Sequence, residues 1–451
     1  MVGDGHTMGV AAEIAQHVLW AAEGAFQVYY PALSVERSQP CGKDFGLSEK
    51  FQISVEIKLT ILKTSGPLKT IQEAITGNQV TPYIGAVTDL RKGPVVLEVP
   101  AATEKGVLYG QVVGAWQSTI AGVGPVGEDK GAGGKYLFLP PGYKDSAPAG
   151  YFPIQSSTYR IVFAFRSVAL GGATAADAYA YGKKLEMYPL SEAENPTPTR
   201  FVDGNPLPLY TLPFYDIRAL QDIHDIISVE PVRPQDKVMM GMLASIGIER
   251  GKPFSPSPKL KAAMEKGVVD AYYYMQELDT KLFASNLYWP DRQWSFVMVP
   301  DAKHSFDFVS DDAVEIDNRA AAWFFFTFYP KVLNEDAGTI YLAPIADSSG
   351  EPLKAGKTYK LTVPKDMPAK QFWSLTLYDR ATWAFVKNPL DRAGLGSFNM
   401  DKMKKNADGT VDLYFGPKAP APPATFRPKM SPCTRSAVDT ALETGPLLRL
   451  A

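Results

Sequence analysis

The sequence predicts a multidomain α+β protein with a β-rich N-terminal domain, a helical middle section and a β-sandwich (jelly-roll-like) C-terminal domain. Alternating segments separated by Gly, Pro and Asp occur towards both ends of the chain, and Ala-rich segments with helical spacing lie between them. With 451 residues, of which 45% are hydrophobic, the chain is too long for one ordinary hydrophobic core and is expected to form more than one. The predicted parts are an N-terminal helical segment (1–50), the N-terminal domain (51–169), the middle section (170–335), the C-terminal domain (336–420) and an irregular tail (421–451).

The charge and hydropathy patterns argue against nucleic acid and membrane partners. The chain has 46 basic and 48 acidic residues and contains no long run of like charge. Its longest apolar run, residues 320–329, is about half the roughly 20 residues that a membrane helix needs, and it is interpreted as buried core. The first residues lack the basic and apolar segments of a secretory signal, so the default expectation is a soluble, cytoplasmic protein.

Cysteine and histidine spacing predicts neither a disulfide framework nor a metal site. Cys41 and Cys433 lie near opposite ends of the chain, and neither has a second thiol nearby. The four histidines are scattered and match no zinc-binding spacing. A dinucleotide-binding glycine pattern after a strand is also missing from the sequence. No metal and no cofactor are therefore expected.

The N-terminal region begins with a predicted amphipathic helix over residues 8–30, followed by an alternating strand over residues 51–59. Residues 95–99 and 107–113 are predicted to form two adjacent strands. The glycine-dense stretch after them, residues 122–134, has the composition of a phosphate-binding loop. It lacks the Gly-Lys-Ser/Thr spacing of such loops, so it is interpreted as an ordinary surface loop.

Residues 158–166 form a predicted strand whose two faces differ. Tyr159, Ile161, Phe163 and Phe165 share one face, which is expected to face the core. The opposite face carries Arg160, Val162, Ala164 and Arg166. The favoured interpretation of this second face is a solvated edge, and the alternative is an arginine-lined site.

Helical spacing dominates the middle section. The pattern predicts helices over residues 174–185, 238–248 and 258–287, the last beginning at a proline. Asp317 precedes a further predicted helix, which contains the long apolar run. This section is expected to join the two β domains.

Strand patterns return in the C-terminal domain, where residues 372–379 are the most regular. Trp373, Leu375 and Leu377 alternate with a second face, which carries Ser374, Thr376 and Tyr378. The first face is expected to be core. Further strands are predicted at residues 339–342, 359–363 and 411–415, and residues 421–451 show no strand pattern.

Several separated motifs resemble a known pair of domains. Gly93-Pro94-Val95-Val96-Leu97 and Leu139-Pro140-Pro141-Gly142-Tyr143 resemble domain of unknown function 1254, and Phe372-Trp373-Ser374-Leu375-Thr376-Leu377-Tyr378-Asp379 resembles its usual partner, domain of unknown function 1214. The resemblance spans residues 78–417. It implies the same three-part architecture and carries over no catalytic residues.

Seven side chains are the candidates for a ligand-binding site. Small-molecule pockets are lined by apolar and aromatic side chains with a few convergent polar groups. Residues of this kind occur in both predicted β domains and in the helical section between them: Tyr83, Trp116, Arg160, Arg166, Arg319, Ser374 and Tyr378. The hypothesis is an interdomain pocket that binds a small organic molecule.

Two other functions remain open at the level of sequence. The first is a hydrolase or lyase without an organic cofactor, in which Arg166 or Arg319 acts with a Tyr or Asp as the acid–base group. The second is a structural assembly module without a ligand. Association into a homo-oligomer is also left open, and the sequence does not define a reaction.

Overall fold

The structure is a computed structural model that describes residues 60–63, 74–204, 212–326, 328–333, 339–369, 371–388, 391–417, 425–426 and 446–450. The predicted helix of residues 8–30, the predicted strand of residues 51–59 and both cysteines lie outside the described residues.

Two β-sheets form the described part of the N-terminal domain. In chain order the strands are β1 (Thr60–Lys63), β2 (Tyr83–Asp89), β3 (Val95–Val99), β4 (Gly106–Gly114), β5 (Thr119–Val123), β6 (Gly134–Leu139), β7 (Tyr151–Gln155), β8 (Arg160–Ala169), β9 (Glu186–Pro189) and β10 (Arg200–Asp203). The first sheet has the order β10-β1-β2-β8-β4-β5, and the second has the order β7-β6-β3-β9. Apolar side chains from both sheets, including Ile84, Phe163, Leu97 and Phe138, form one shared core.

β8 lies inside the first sheet, between β2 and β4. Its predicted core face is confirmed, because Ile161, Phe163 and Phe165 are buried in the core shared by the two sheets. The solvated edge favoured for its other face is wrong. An interior strand has no free edge, and Val162 and Ala164 on that face are buried beneath a second layer of the protein.

β3 and β4 belong to different sheets, so the prediction that they are adjacent is wrong. β3 pairs with β6 and β9, whereas β4 pairs with β5 and β8. The connection between them, residues 100–105, carries the chain across the core from one sheet to the other. Both strands are present as predicted, and only their partners differ.

The glycine-dense loop of residues 122–134 is closed by its own carboxylates. Asp129 is 4% exposed and accepts hydrogen bonds from the backbone N–H groups of Gly124 at 2.7 Å and Gly133 at 3.0 Å. Its carboxylate also accepts the hydroxyl of Tyr136 at 2.8 Å. The N–H groups that a phosphate would need are therefore already engaged by an acidic side chain of the chain itself.

We expect Asp129→Ala to lower the free energy of unfolding by about 1–3 kcal/mol, because it removes the acceptor of two backbone N–H groups. Asp129→Asn should have a smaller effect, since one carbonyl oxygen remains. Urea denaturation of both variants tests this expectation. Equal stability of Asp129→Ala and the unchanged protein would show that the loop does not depend on its carboxylate.

The middle section contains the described helices. In chain order they are α1 (Ala175–Gly182), α2 (Ile217–Val229), α3 (Lys237–Ser245), α4 (Pro258–Ser285) and α5 (Ile316–Phe324). The predicted helices at 174–185, 238–248, 258–287 and after Asp317 are confirmed as α1, α3, α4 and α5. α2 was not predicted, although its apolar residues follow helical spacing and are buried.

Helix α4 begins where its sequence predicts. Pro258 occupies the first turn, and the Ser257 hydroxyl accepts the backbone N–H of Leu260 at 3.3 Å.

Residues 320–326 and Tyr329 of the long apolar run are buried, as expected. Within the described residues, no helix has both the length and the apolar character needed to cross a membrane.

The C-terminal region forms two further sheets. Its strands are β11 (Ser295–Phe296), β12 (Leu342–Ala343), β13 (Tyr359–Val363), β14 (Ser374–Asp379), β15 (Gly394–Gly396), β16 (Val411–Phe415), β17 (Thr425–Phe426) and β18 (Pro446–Leu450). One sheet has the order β11-β12-β18-β14-β15, and the other has the order β13-β16-β17. Residues 421–451 carry no strand pattern, yet the backbone of β18 lies between β12 and β14 and pairs with both.

Both faces of β14 are buried. Trp373, Leu375 and Leu377 belong to the core, which confirms the expected apolar face. Ser374, Thr376 and Tyr378 on the opposite face are 3%, 6% and 1% exposed. This polar face therefore lies against another part of the protein and does not face solvent.

Candidate functional site

A row of three side chains crosses the first sheet of the N-terminal domain. Arg166 on β8 lies directly opposite Tyr83 on β2 and Tyr109 on β4. Residues opposite each other on neighbouring strands point to the same face of a sheet. Tyr83, Arg166 and Tyr109 are therefore side by side on the face opposite the shared core.

The C-terminal region covers this row. Arg166 donates a hydrogen bond from Nη1 to the hydroxyl of Tyr341 at 3.0 Å. Gln371 donates from Nε2 to the hydroxyl of Tyr109 at 3.2 Å, and Tyr83 packs against the core of the C-terminal region. The five residues form the cluster that we call the Arg166 cluster: Tyr83, Tyr109, Arg166, Tyr341 and Gln371. It lies where the two β domains meet.

Among the described residues, the charged guanidinium of Arg166 has no carboxylate partner. Its hydrogen bond goes to the neutral phenol of Tyr341. The side chain is only half-buried, so part of it is open to solvent. Burial lowers its pKa, but the phenols of Tyr341, Tyr83 and Tyr109 outweigh that effect and leave the pKa above its ordinary value. The cluster therefore presents a permanent positive charge between aromatic rings.

Arg319 and Trp116 lie in a different place and contact each other. Arg319 donates from Nη2 to the backbone carbonyl of Trp116 at 2.5 Å and from Nη1 to that of Asp307 at 2.9 Å. Burial lowers the pKa of Arg319 to about 10. Trp116 in turn donates from Nε1 to the carbonyl of Pro231 at 2.9 Å. These contacts join the N-terminal domain to the middle section through backbone groups.

Arg160 lies beside a buried carboxylate that the sequence did not reveal. Glu230 follows α2, its side chain is fully buried, and its two oxygens accept the backbone N–H groups of Tyr159 at 2.6 Å and Arg160 at 3.2 Å. The Arg160 guanidinium lies 4.0 Å from the same carboxylate. Arg160 thus belongs to a structural contact between β8 and α2.

Tyr378 and Ser374 face the segment that leads into β2. The hydroxyl of Tyr378 donates to the carbonyl of Gly77 at 2.5 Å. Farther along, Gln79 Oε1 accepts the backbone N–H of Ala393 at 2.6 Å. Residues 77–79 of the N-terminal domain are thereby fixed to the C-terminal sheet, and Ser374 lines a cavity of about 300 Å³ beside them.

The contacts therefore divide the seven predicted site residues into separate groups. Tyr83 and Arg166 come together in the Arg166 cluster, Trp116 with Arg319, Arg160 with Glu230, and Ser374 and Tyr378 along β14. Tyr109, Tyr341 and Gln371 were missed. Alternation places Tyr109 on the non-core face of β4, but only the strand pairing shows that it adjoins Arg166.

Two other features carry less functional information. A surface depression of about 510 Å³ near Lys105 and Lys184 is lined by exposed charged side chains, and Asp177 there caps α1. Within the described residues, no three His, Cys, Asp or Glu side chains are grouped so that they could hold a metal ion.

Comparison with solved structures shows the fold. The chain is similar to the VPA0106 protein from Vibrio parahaemolyticus, with a TM-score of 0.54 and 17% identity over 98% of this chain and 94% of that one. A putative uncharacterized protein from Burkholderia cenocepacia gives a TM-score of 0.35 at 10% identity, covering 98% of this chain and 82% of that one. No curated protein matches the sequence.

Family models match both β domains in the expected order. Protein of unknown function (DUF1254) matches residues 59–189, and Protein of unknown function (DUF1214) matches residues 338–427. The first match contains Tyr83, Tyr109 and Arg166, whereas Tyr341 and Gln371 lie in the second. The Arg166 cluster therefore joins the two matched domains. The chain belongs to the family of proteins in which a DUF1254 domain is followed by a DUF1214 domain.

Proposed function

We propose that the protein binds a small organic anion, such as a carboxylate, at the Arg166 cluster between its two β domains. The observation that carries this proposal is the guanidinium of Arg166, which lies among Tyr83, Tyr109 and Tyr341 and has no carboxylate partner in the described part of the chain. A partly buried charge without a counter-charge is unfavourable, and an anionic ligand would neutralise it.

The chemistry of the cluster suits a carboxylate. A guanidinium carries five N–H donors in a planar fork, and the described hydrogen bond of Arg166 to Tyr341 uses Nη1. The remaining donors match the two oxygens of a carboxylate in a bidentate arrangement. Phenol hydroxyls add hydrogen bonds, and the tyrosine rings supply apolar walls for the organic part of the ligand.

An enzyme is the rival proposal. A hydrolase or lyase would use Arg166 to hold the anionic substrate and a tyrosine of the cluster as the acid–base group. Arg319 is a weaker candidate for that role, since it is 7% exposed and donates to two backbone carbonyls. A substrate screen repeated with Arg166→Ala separates the two: Arg166-dependent turnover favours the enzyme, and its absence favours the binding protein.

Two finer points of architecture are also proposals. The two C-terminal sheets, β11-β12-β18-β14-β15 and β13-β16-β17, support a jelly-roll-like sandwich. A homo-oligomer, or an assembly module without a ligand, is a further hypothesis, for which sedimentation of the purified chain is the direct measurement. An assembly module is less well supported, because it gives no role to the charge of Arg166, which has no carboxylate partner among the residues that the structure describes.

We expect Arg166→Met to weaken the binding of a carboxylate probe by about tenfold or more, because charge-assisted hydrogen bonds are lost while side-chain length is kept. Benzoate is a suitable probe, and calorimetric titration measures its affinity. Arg292→Met is the matched control, since Arg292 is exposed, stacks on Trp289 and does not belong to the Arg166 cluster. Failure of benzoate, succinate and phosphate to bind, or equal binding to Arg166→Met, would refute the proposal.

A further inference from the structure

The cavity beside Ser374 is a second feature at the junction of the two domains, and it shares no lining residue with the Arg166 cluster. It has a volume of about 300 Å³, near the lower limit for small-molecule pockets. Its walls come from the segment before β2, from β14 and β15, and from the short 3-10 helix Ser397–Lys402. Both family domains therefore contribute to it.

Ser374 lines this cavity, and its hydroxyl has no hydrogen-bond partner among the described residues. Ser374 is 3% exposed, and its Oγ atom is buried and unpaired among the described residues. Alternation along β14 places it on the same face as Tyr378, whose hydroxyl reaches Gly77 in the segment before β2. A buried hydroxyl is normally hydrogen-bonded, so the unpaired hydroxyl of Ser374 points to a ligand that would form a hydrogen bond with it.

Two more hydrogen-bonding groups of the cavity are available. Thr376, two residues along the same face, is 6% exposed, and its hydroxyl has no partner in the described part of the chain. Asn399 accepts the backbone N–H of Gly396 at 3.0 Å through Oδ1, which leaves its NH₂ group unused within the same described part. Three groups able to bond a hydroxyl thus line one small cavity.

The charge of the lining argues for a neutral ligand. Asp391 and Arg392 are consecutive residues of opposite charge, so the wall has no net charge. Val80, Leu375 and Leu395 are apolar residues that also line the cavity. This combination fits a molecule that has several hydroxyl groups and exposed C–H surface.

We propose that this cavity is a second binding site, specific for a small neutral polyhydroxyl molecule such as a polyol or monosaccharide, with Ser374, Thr376 and Asn399 as hydrogen-bonding residues. Hydroxyl groups act as donor and acceptor at once and therefore satisfy both hydroxyl side chains and the amide. The site is independent of the anion proposed for Arg166.

Calorimetric titration of the full chain with xylitol and D-glucose tests this proposal, with succinate as a charged comparison. We expect at least one neutral probe to bind, and Ser374→Ala to weaken that binding by about tenfold. Arg166→Met should leave it unchanged, so that this result is independent of the anion site. No binding of either neutral probe, unchanged binding in Ser374→Ala, or Ser374-dependent binding of succinate alone would overturn the proposal.

Ser295→Ala is the matched control for folding. Ser295 is also buried, at 2% exposed, but its hydroxyl donates to the carbonyl of Phe283 at 2.6 Å. We expect Ser295→Ala to lower the melting temperature and to keep polyol binding. Ser374→Ala should keep the melting temperature and weaken polyol binding, because removing an unpaired buried hydroxyl leaves no broken hydrogen bond. A drop in melting temperature with Ser374→Ala as large as that of Ser295→Ala would contradict the unpaired state of Ser374.

Discussion

Arg380→Met is expected to lower the free energy of unfolding by about 3–5 kcal/mol, because it leaves a buried carboxylate without its partner. Asp279 on α4 is fully buried, and Arg380, which directly follows β14, is 7% exposed. Their nearest atoms, Nη1 and Oδ2, are 3.4 Å apart. Burial raises the pKa of Asp279, and Arg380 opposes that rise.

The same arginine fixes the long helix to the C-terminal sheet. Arg380 donates from Nη2 to the carbonyl of Gln276 at 3.2 Å and to the hydroxyl of Thr280 at 3.1 Å. Gln276 returns a hydrogen bond to the carbonyl of Arg380, and the guanidinium lies 4.3 Å from the ring centre of Trp383. Loss of Arg380 therefore removes the polar contacts that join α4 to the end of β14.

Guanidinium chloride denaturation, followed by tryptophan fluorescence, measures the effect of Arg380→Met. The double variant Asp279→Leu/Arg380→Met should be more stable than Arg380→Met alone, because it no longer buries an unpaired charge. Lys281→Met is the control on the same helix. Its exposed ion pair with Glu277 contributes about 0.5 kcal/mol or less. If Arg380→Met is no more destabilising than Lys281→Met, the buried pair does not hold the helix in place.

Glu230 is expected to make the protein less stable as the pH rises. The free energy of unfolding of the unchanged protein, measured against that of Glu230→Gln, should fall by about 3 kcal/mol between pH about 4.5 and about 7. Burial raises the pKa of Glu230 to about 7, against the two backbone N–H groups and Arg160, which lower it. Asp89 adds to the rise, and Arg91 also interacts with Glu230. Between these pH values the folded state holds a proton that the unfolded state has released, so raising the pH favours unfolding.

Denaturation of both proteins at several pH values tests this expectation. Other carboxyl groups titrate in the same range, so the quantity to compare is the difference between the two proteins at each pH. Glu265→Gln is the matched control, because Glu265 is exposed on α4 and pairs only loosely with Lys261 at 3.9 Å. The difference in free energy of unfolding between Glu265→Gln and the unchanged protein should not change with pH. A flat difference for Glu230→Gln as well would show that the pKa of Glu230 is the same in the folded and unfolded states.

Local patterns predicted many of the elements and some of their faces. The alternation in β8 and β14 identified their core sides, and the Ser-Pro-Ser-Pro sequence before α4 marked its first turn. These features depend on side chains a few residues apart, so the sequence displays them directly. The same reasoning failed where partners are remote. It made β3 and β4 neighbours and gave no strand at β18, whose pairing with β14 spans about 70 residues of chain.

The candidate sites show the same division. The sequence identified Arg166 and Ser374 as polar residues on the second faces of predicted strands, and it named Tyr83 as a candidate without predicting its strand. It did not identify Tyr109 or Tyr341, because only the strand register shows that Tyr109 adjoins Arg166, and only a long-range hydrogen bond brings Tyr341 to the same side chain. It also gave no reason to separate Arg319 from Arg166. Only the contacts show that the donors of Arg319 bind backbone carbonyls.

The sequence by itself determined the family, the order of β-rich, helical and β-rich parts, and the buried faces of the main strands. Tertiary structure alone decided which polar residues are paired and which are not. Asp129, Glu230 and Asp279 each have a partner in their own loop or distant in the chain. Among the described residues, by contrast, the charge of Arg166 has no carboxylate partner and the hydroxyl of Ser374 has no hydrogen-bond partner. The physical reason is that secondary structure follows from local spacing, but the satisfaction of a charge or a hydroxyl depends on long-range packing.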